Sequence, residues 1–458
     1  MTALPRNAVE LAAVLAAKGQ PKAPQVGLEI ELGLLDATGR PVAYEQVRAL
    51  LEQIQSDAPG VWTGVFEGEH LVALTGSGGD SVTLEPGGQV ELSDGPAENV
   101  SVAAAGAVLK LNAMVRAAAA HDMQLVGGGL QPASLEDVNW MPKSRYAIMR
   151  DWFASLGPAG RLAHTMMKRT LSVQVSLDYS SPENAEELLR LAFRAAPLAT
   201  AIFAASPWHY GADEGAFQSF RGEAWRFTDP SRQGLIPTLT EPQSAQAALE
   251  AYSAHVLASP MMFRVRGDDY LAMKGASFAD VLAAGVWGDG DAVSETDLWN
   301  HNGSVFTDAR LKPGLIELRS TDGVVPGDNH ERAVAEVPAF WVGLAYDDTA
   351  RAAALERLGA LPQAELIAAH DAVPREGLAA PWGKEAVLDV ARDLVGYAQA
   401  GVERLRAAGR EGPLASEALS AIAARLEREM SPADYLEDLE ASGGREALLA
   451  AIRIPSGE

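Results

Sequence analysis

The sequence predicts an α+β fold, in which helices surround a mainly antiparallel β-sheet and a helical C-terminal region follows. Three observations carry that prediction. Alternating apolar and polar residues recur at four separated places before residue 330, as half-buried strands require. The intervals between them are long and uneven, without the βαβ rhythm of a doubly wound sheet. Beyond about residue 330 the pattern turns helical and stays so, through HERAVAEVPAFWVGLAY, KEAVLDVARDLVGYAQAGVERLRAAG and SEALSAIAARLEREM. The expected division is a core over residues 1–350 and a helical region over residues 351–458 packed on it.

Each element has its own local reason. A short amphipathic helix with mixed charge opens the chain. In QVGLEIELGLLD, Val26, Leu28, Ile30, Leu32 and Leu34 face one way while Glu29 and Glu31 face the other, and this alternation is expected to dominate up to about residue 95. SVTLEPGGQVELSD reads as a hairpin: Val82 and Leu84, a Pro86-Gly87-Gly88 turn, then Val90 and Leu92, with Glu85, Gln89 and Glu91 off the apolar face. A long alanine-rich helix is expected over roughly 98–120, then a loop at Gly127-Gly128-Gly129 and a short helix around SRYAIMRDWFASLG. In RTLSVQVSLDYS, Leu171, Val173, Val175 and Leu177 point inward and Ser172, Gln174, Ser176 and Asp178 outward. Ser181-Pro182-Glu183 opens a helix with a capping hydroxyl, an early proline and an acid at the positive dipole end. The stretch from 206 to 240 reads as an irregular, arginine- and aromatic-rich loop of the kind that holds ligands. GLIELRSTD is the fourth alternating strand, with Ile316 and Leu318 opposite Glu317 and Arg319.

Composition narrows the function. With 458 residues, 48% of them hydrophobic, the chain can bury a large core. A net charge of -24 argues against nucleic acid or an anionic membrane surface as a general partner, because the mean field repels phosphates. No stretch is expected to reach the roughly 18 apolar residues that span a bilayer, and a cytoplasmic location is expected. Zero cysteines exclude disulfides, thiolate metal sites and cysteine nucleophiles.

The same device recurs in all four strands: polar groups at alternate positions opposite an apolar face. These are Glu29 and Glu31, Glu85 with Gln89 and Glu91, Gln174, then Glu317 and Arg319. One such strand is most simply a solvated sheet face. Four in one sheet make a wall whose carboxylates repel one another unless cations neutralise them, and an all-oxygen donor set suits Mg²⁺ or Mn²⁺. Nucleotide phosphates would complete such a site, yet no phosphate loop is present: GLAAPWGKE is spaced one residue too long for a Walker A motif and lacks the following Ser or Thr. No HExxH or GxSxG occurs, and His164, His209 and His301 are expected to be structural or to border a substrate.

These stretches resemble the plant and proteobacterial type of glutamate–cysteine ligase, a family of carboxylate–amine ligases related in fold to glutamine synthetase. The resemblance runs in order through GLEIE, LEPGGQVELS, MPKSRYAIMRDW, MMKRTLSVQVSLD, FRGEAWRFTDPSRQG, HNGSVFTDARLKPGLIELRSTD and VPAFWVGLAYD. It implies a sheet curved into a half-funnel, with residues 1–350 as the catalytic core. It implies ATP-driven joining of the glutamate γ-carboxylate to the amine of cysteine through a γ-glutamyl phosphate. Glu29, Glu31, Glu85, Glu91 and Glu317 would hold Mg²⁺, with Mn²⁺ as an alternative. Gln174 would lie close to metal and nucleotide. Arg319 would stabilise the transferring phosphoryl group beside Glu317. Arg221 and Arg232 would bind substrate carboxylates, and Lys143, Arg145 and Tyr146 the amino-acid pocket. The chain has LAHTMM where the family pattern has LDMM, and GLIELR where an aromatic strand leads into the glutamate. Both touch the pocket rim, so a different amine acceptor stays open, as does a non-catalytic sensor of nucleotide or amino acid. Partners are expected to be these small molecules, with no nucleic acid, no membrane, and a monomer or homodimer.

Overall fold

Alternation in the first two thirds of the chain resolves into one sheet. The computed structural model describes residues 4–19, 21–208, 216–267 and 269–456. Its main sheet has nine strands: β1 (Val26–Asp36), β2 (Thr63–Glu67), β3 (His70–Thr75), β4 (Ser81–Leu84), β5 (Val90–Ala97), β6 (Met123–Val126), β7 (Val173–Asp178), β8 (Ala309–Lys312) and β9 (Leu315–Leu318). Their order is β8-β9-β7-β1-β5-β4-β3-β2, and β6 pairs with the C-terminal end of β1. Every pairing in it is antiparallel.

The apolar face is buried throughout: Leu28, Ile30, Leu92, Val175 and Ile316 are each no more than 1% exposed. Two long helices cover it, α1 (Val100–Ala119) and, from the far part of the chain, α4 (His330–Ala345). Between them in sequence lie α2 (Ser144–Ser155) and α3 (Phe220–Arg226), and after them come α5 (Val387–Ala407), α6 (Pro413–Glu427) and α7 (Pro432–Ile452). α5 and α6 pack on α4 and on each other. α1 begins where the Asn99 side chain accepts the Val102 amide at 2.9 Å. The Ser181 cap is as expected, accepting the Asn184 amide at 3.1 Å at the head of Pro182–Ile202.

Three expectations need correction. α1 is, by length and composition, apolar enough to cross a bilayer, contrary to the reading that no stretch comes near. Here Ala103, Ala104, Ala107, Leu111 and Met114 are buried against the sheet and α4, which is what an alanine-rich core helix does. A helix over Tyr44–Asp57 interrupts the strand-dominated N-terminal region, burying Val47, Leu50, Leu51 and Ile54 at helical spacing. The stretch expected to be an irregular loop contains α3, capped by Ser219, whose Arg221 and Glu223 are buried. His209 lies outside the described residues.

Candidate active site

Register builds the site. Glu31 on β1 stands opposite Glu91 on β5, and Glu29 stands opposite Ser93 on one side and Gln174 on β7 on the other. Thr83 on β4 pairs with Glu91, Ser176 with Glu317 on β9, and Glu317 with Arg310 on β8. Five neighbouring strands and β4's edge therefore present one continuous polar face. A slip of one residue in β1 would send both its glutamates into the apolar core, so burial of that core fixes the wall.

The hairpin turn is held in place by its own residues. Gly88 has φ of 84°, and a Cβ on Gly87 would lie 2.1 Å from the Lys168 carbonyl oxygen, so the tip can press on residues 166–170 only as glycine. Gln89 Nε2 donates to the carbonyls of Met167 and Thr170 at 3.3 and 3.2 Å, and its Oε1 accepts the Gly87 amide. Gln89 thus fastens the turn. Glu85 follows the last residue of β4, whose Leu84 carbonyl accepts from Lys143 Nζ at 2.8 Å and from the Tyr146 hydroxyl at 2.7 Å. The Tyr146 hydroxyl is also 3.5 Å from Glu85 Oε2. α2 and a small hairpin of Pro260–Arg266 with Asp269–Ser277 close the opposite wall.

Together these elements enclose a cavity of about 320 Å³, bordered by Glu29, Glu31, Glu85, Glu91, Gln174 and Arg319. Arg145, Tyr146, Met149, Met166, Met167 and Phe263 make its less polar side. Among the described residues, none of Glu29, Glu31, Glu85 and Glu91 forms an ion pair. Glu31 accepts from Ser172 Oγ at 2.7 Å and Glu91 from Thr83 Oγ1 at 3.1 Å. Burial first, and then the neighbouring carboxylates, pushes Glu29 and Glu91 up to about 7 and Glu31 to about 8. No three His, Cys, Asp or Glu side chains among the described residues are drawn together as a closed metal cage. Glu29, Glu31, Glu85 and Glu91 form an open wall of oxygen donors without an ion pair among the described residues, which fits a hard divalent ion by charge and by donor type.

Glu317 is placed differently. It is fully buried and does not border that cavity. Arg310 grips it with two hydrogen bonds of 2.8 and 2.7 Å, Lys312 reaches it at 2.7 Å and Arg319 at 2.5 Å. Burial alone would raise its carboxyl, but Arg310, Arg319 and Lys312 hold it well below the usual carboxylate range. Arg319 also donates to Gln174 Oε1 and borders both the glutamate cavity and a small adjoining cleft with Arg221. Arg221 donates to the Arg319 carbonyl at 2.9 Å, while its buried Nε has no partner. Arg232 lies outside both: it is spent on Asp229 at 2.7 Å, on Ser304 and on the Pro260 carbonyl. Lys143 is buried under the hairpin, where burial and then Arg145 lower it to about 8. His164 and His301 donate to the carbonyls of Arg150 and Val256, structural positions both. The sequence reading missed Arg310 and Lys312, though Ala309-Arg310-Leu311-Lys312 before Pro313-Gly314 is a legible alternating strand with a turn.

The antiparallel sheet and its carboxylate wall are what the resemblance to carboxylate–amine ligases leads one to expect. A family model described as glutamate-cysteine ligase family 2 matches residues 25–451, and the chain belongs to that family. It is 34% identical over 383 residues to the chloroplastic glutamate–cysteine ligases of Nicotiana tabacum and Arabidopsis thaliana, covering 83% of this chain and 70% of each relative. In three dimensions it resembles the glutamate–cysteine ligase of Francisella tularensis in complex with AMP, with a TM-score of 0.55 at 12% identity over 94% of this chain and 88% of that one. The bifunctional glutathione synthetase of Pasteurella multocida gives 0.53 at 12%, over 96% of this chain and 53% of that one. These two likenesses speak for the fold. The expected cytoplasmic location is overturned by the relatives, which are chloroplastic enzymes by name. The expectation rested on the inferred lack of a bilayer-spanning stretch, a property that proteins of an organelle's interior share with those of the cytoplasm.

Proposed function

We propose that the protein is an ATP-dependent glutamate–cysteine ligase that makes γ-glutamylcysteine at the glutamate wall. A carboxylate is a poor electrophile, so one γ-carboxylate oxygen of glutamate attacks the terminal phosphorus of ATP and ADP leaves. The amine of cysteine then attacks the acyl carbon, and phosphate departs with that carboxylate oxygen. Little covalent chemistry falls to the protein; placement and charge neutralisation do the work.

The observation that carries this reading is the convergence of Glu29, Glu31, Glu85, Glu91, Gln174 and Arg319 on one cavity in a chain of this family. Glu29, Glu31, Glu85 and Glu91 would hold Mg²⁺, or Mn²⁺, which would neutralise the wall and the nucleotide phosphates. Glu317 belongs to the same set by resemblance. Its clamp by three cations supports a further task, aiming Arg319 at the cavity, and ligating a metal would require those ion pairs to open. Arg319 grips the transferring phosphoryl group with its planar fork, and Gln174 holds that fork. Arg145 and Tyr146 border the amino-acid end of the cavity, with Lys143 fixing the strand beneath them. Arg221 sets the backbone at Arg319 and offers its free Nε to a carboxylate, whereas Arg232 acts from behind by fixing Ser304, which borders the cavity. Residues 1–350 serve as the catalytic core, and residues 351–458 brace it through α5 and α6.

ADP release with glutamate, ATP and Mg²⁺ against a panel of amino acids and small amines tests the reading. Cysteine is expected to stand out. A different winner would keep the fold and wall but change the acceptor, and a flat panel would leave a sensor of nucleotide or amino acid.

A further inference from the structure

A cavity of about 540 Å³ lies behind the sheet, on the side away from the glutamates, and shares no bordering residue with their cavity. The segment from Asp322 to Asp328, the start of α4, and parts of α6 and α7 enclose it. Phe203, Val324, Val337 and Met430 give it an apolar floor, and Tyr435, 44% exposed, stands at its edge.

Three arginines and three carboxylates border it, the latter Asp322, Asp328 and Glu336, and they are not all paired with one another. In a chain of net charge -24, three arginines border this one cavity: Arg332, Arg425 and Arg428. Arg332 pairs with Asp328 at 2.5 Å, and Arg425 makes two hydrogen bonds of 2.9 and 2.7 Å to Glu336. The Asp322 carboxylate is taken up by the hydroxyls of Ser206 and Ser219 and the Ala205 amide. Arg428 has no ion pair among the described residues, and the buried Nε of Arg332 has no hydrogen-bond partner. One exposed cation without an ion pair, Arg428, and one buried donor are therefore left beside an apolar floor. That combination matches a ligand with a flat apolar body and a single negative group, since an apolar pocket with a few placed polar groups is how small molecules are held.

We propose that this cavity is a second binding site, specific for an aromatic monocarboxylate, with the ring on the apolar floor beside Tyr435 and the carboxylate on Arg428 and the Arg332 Nε. The site is separate from the one that binds the substrates. Its wall continues the chain from β9 and Arg319, so occupancy stiffens the segment that follows a residue of the active site.

The probe is 8-anilinonaphthalene-1-sulfonate, an aromatic monoanion that fluoresces in apolar surroundings, titrated into the full chain. One saturable site is expected, displaced by 2-naphthoate and unaffected by saturating ATP with glutamate. Ala424→Trp, at an exposed position on α6, fills the cavity and should abolish binding. Arg428→Ala should weaken it about tenfold, the loss of one charge-assisted contact, and Arg428→Lys should restore part of it. Unchanged thermal midpoints would show that both variants fold. Absence of saturable binding, binding untouched by Ala424→Trp and Arg428→Ala, displacement by ATP, or failure of 2-naphthoate to compete would each overturn the proposal.

Discussion

The two ends of the polar sheet face carry the same residue type under opposite electrostatic conditions. At the β9–β8 end, fully buried Glu317 has three cations within hydrogen-bonding reach and is held ionised. At the β1–β5 end, Glu29, Glu31 and Glu91 have one another, and their carboxyls rise to about 7 or 8. Burial is common to both, so burial does not explain the difference; partners do. A carboxylate that the protein neutralises itself needs no cation from solution to stay charged. One that it leaves buried among its like is costly to ionise, and a cation from solution would lower that cost, which is the physical sense in which the wall is a candidate site.

Breaking each end should therefore have different consequences. Glu85→Gln and Glu91→Gln are expected to lower turnover about 10³-fold, or about 4 kcal/mol of transition-state stabilisation, while leaving thermal stability equal or slightly higher because repulsion is relieved. ADP-release rates and unfolding midpoints on the same preparations check this. Activity lost only through early melting would return the hairpin to a solvated sheet face. Arg310→Met should do the reverse at the other end, costing about 3 kcal/mol in urea unfolding because it strands a buried carboxylate. A loss below about 1 kcal/mol would mean that Lys312 and Arg319 suffice.

Smaller effects sharpen the boundary between the two ends. Arg319→Lys replaces a fork with a point charge, and losing one charged hydrogen bond of about 2 kcal/mol predicts kcat down about 30-fold with the KM for ATP little changed. Equal losses in both would move Arg319 to ground-state binding. Lys312→Met should cost about 1 kcal/mol or less in urea unfolding, since its side chain is 32% exposed and solvent screens its pair with Glu317.

Much of this face was legible because period two is a local signal. Glu29, Glu31, Glu91, Gln174 and Glu317 alternate with apolar neighbours within a few residues, and the strands fall where that pattern places them. Their adjacency was not legible, since β7 joins β1 across a long stretch of chain and nothing local encodes that pairing. Arg232 misled for a related reason: an arginine in a ligand-like loop looks the same whether its guanidinium faces substrate or closes on Asp229 behind the cavity. Arg310 and Lys312 were overlooked although they alternate as the glutamates do, because the reading followed carboxylates and not the cations that select among them. The helix Tyr44–Asp57 had its own signal at Val47, Leu50, Leu51 and Ile54, lost in a region where alternation dominated.

The central claim is that this wall activates a carboxylate through an acyl phosphate. It is tested most directly by supplying glutamate labelled with ¹⁸O in its γ-carboxylate and analysing the phosphate released during ligation to cysteine. The account predicts one labelled oxygen in each phosphate, transferred from glutamate when the amine displaces it. Phosphate that emerges unlabelled while γ-glutamylcysteine accumulates would contradict it.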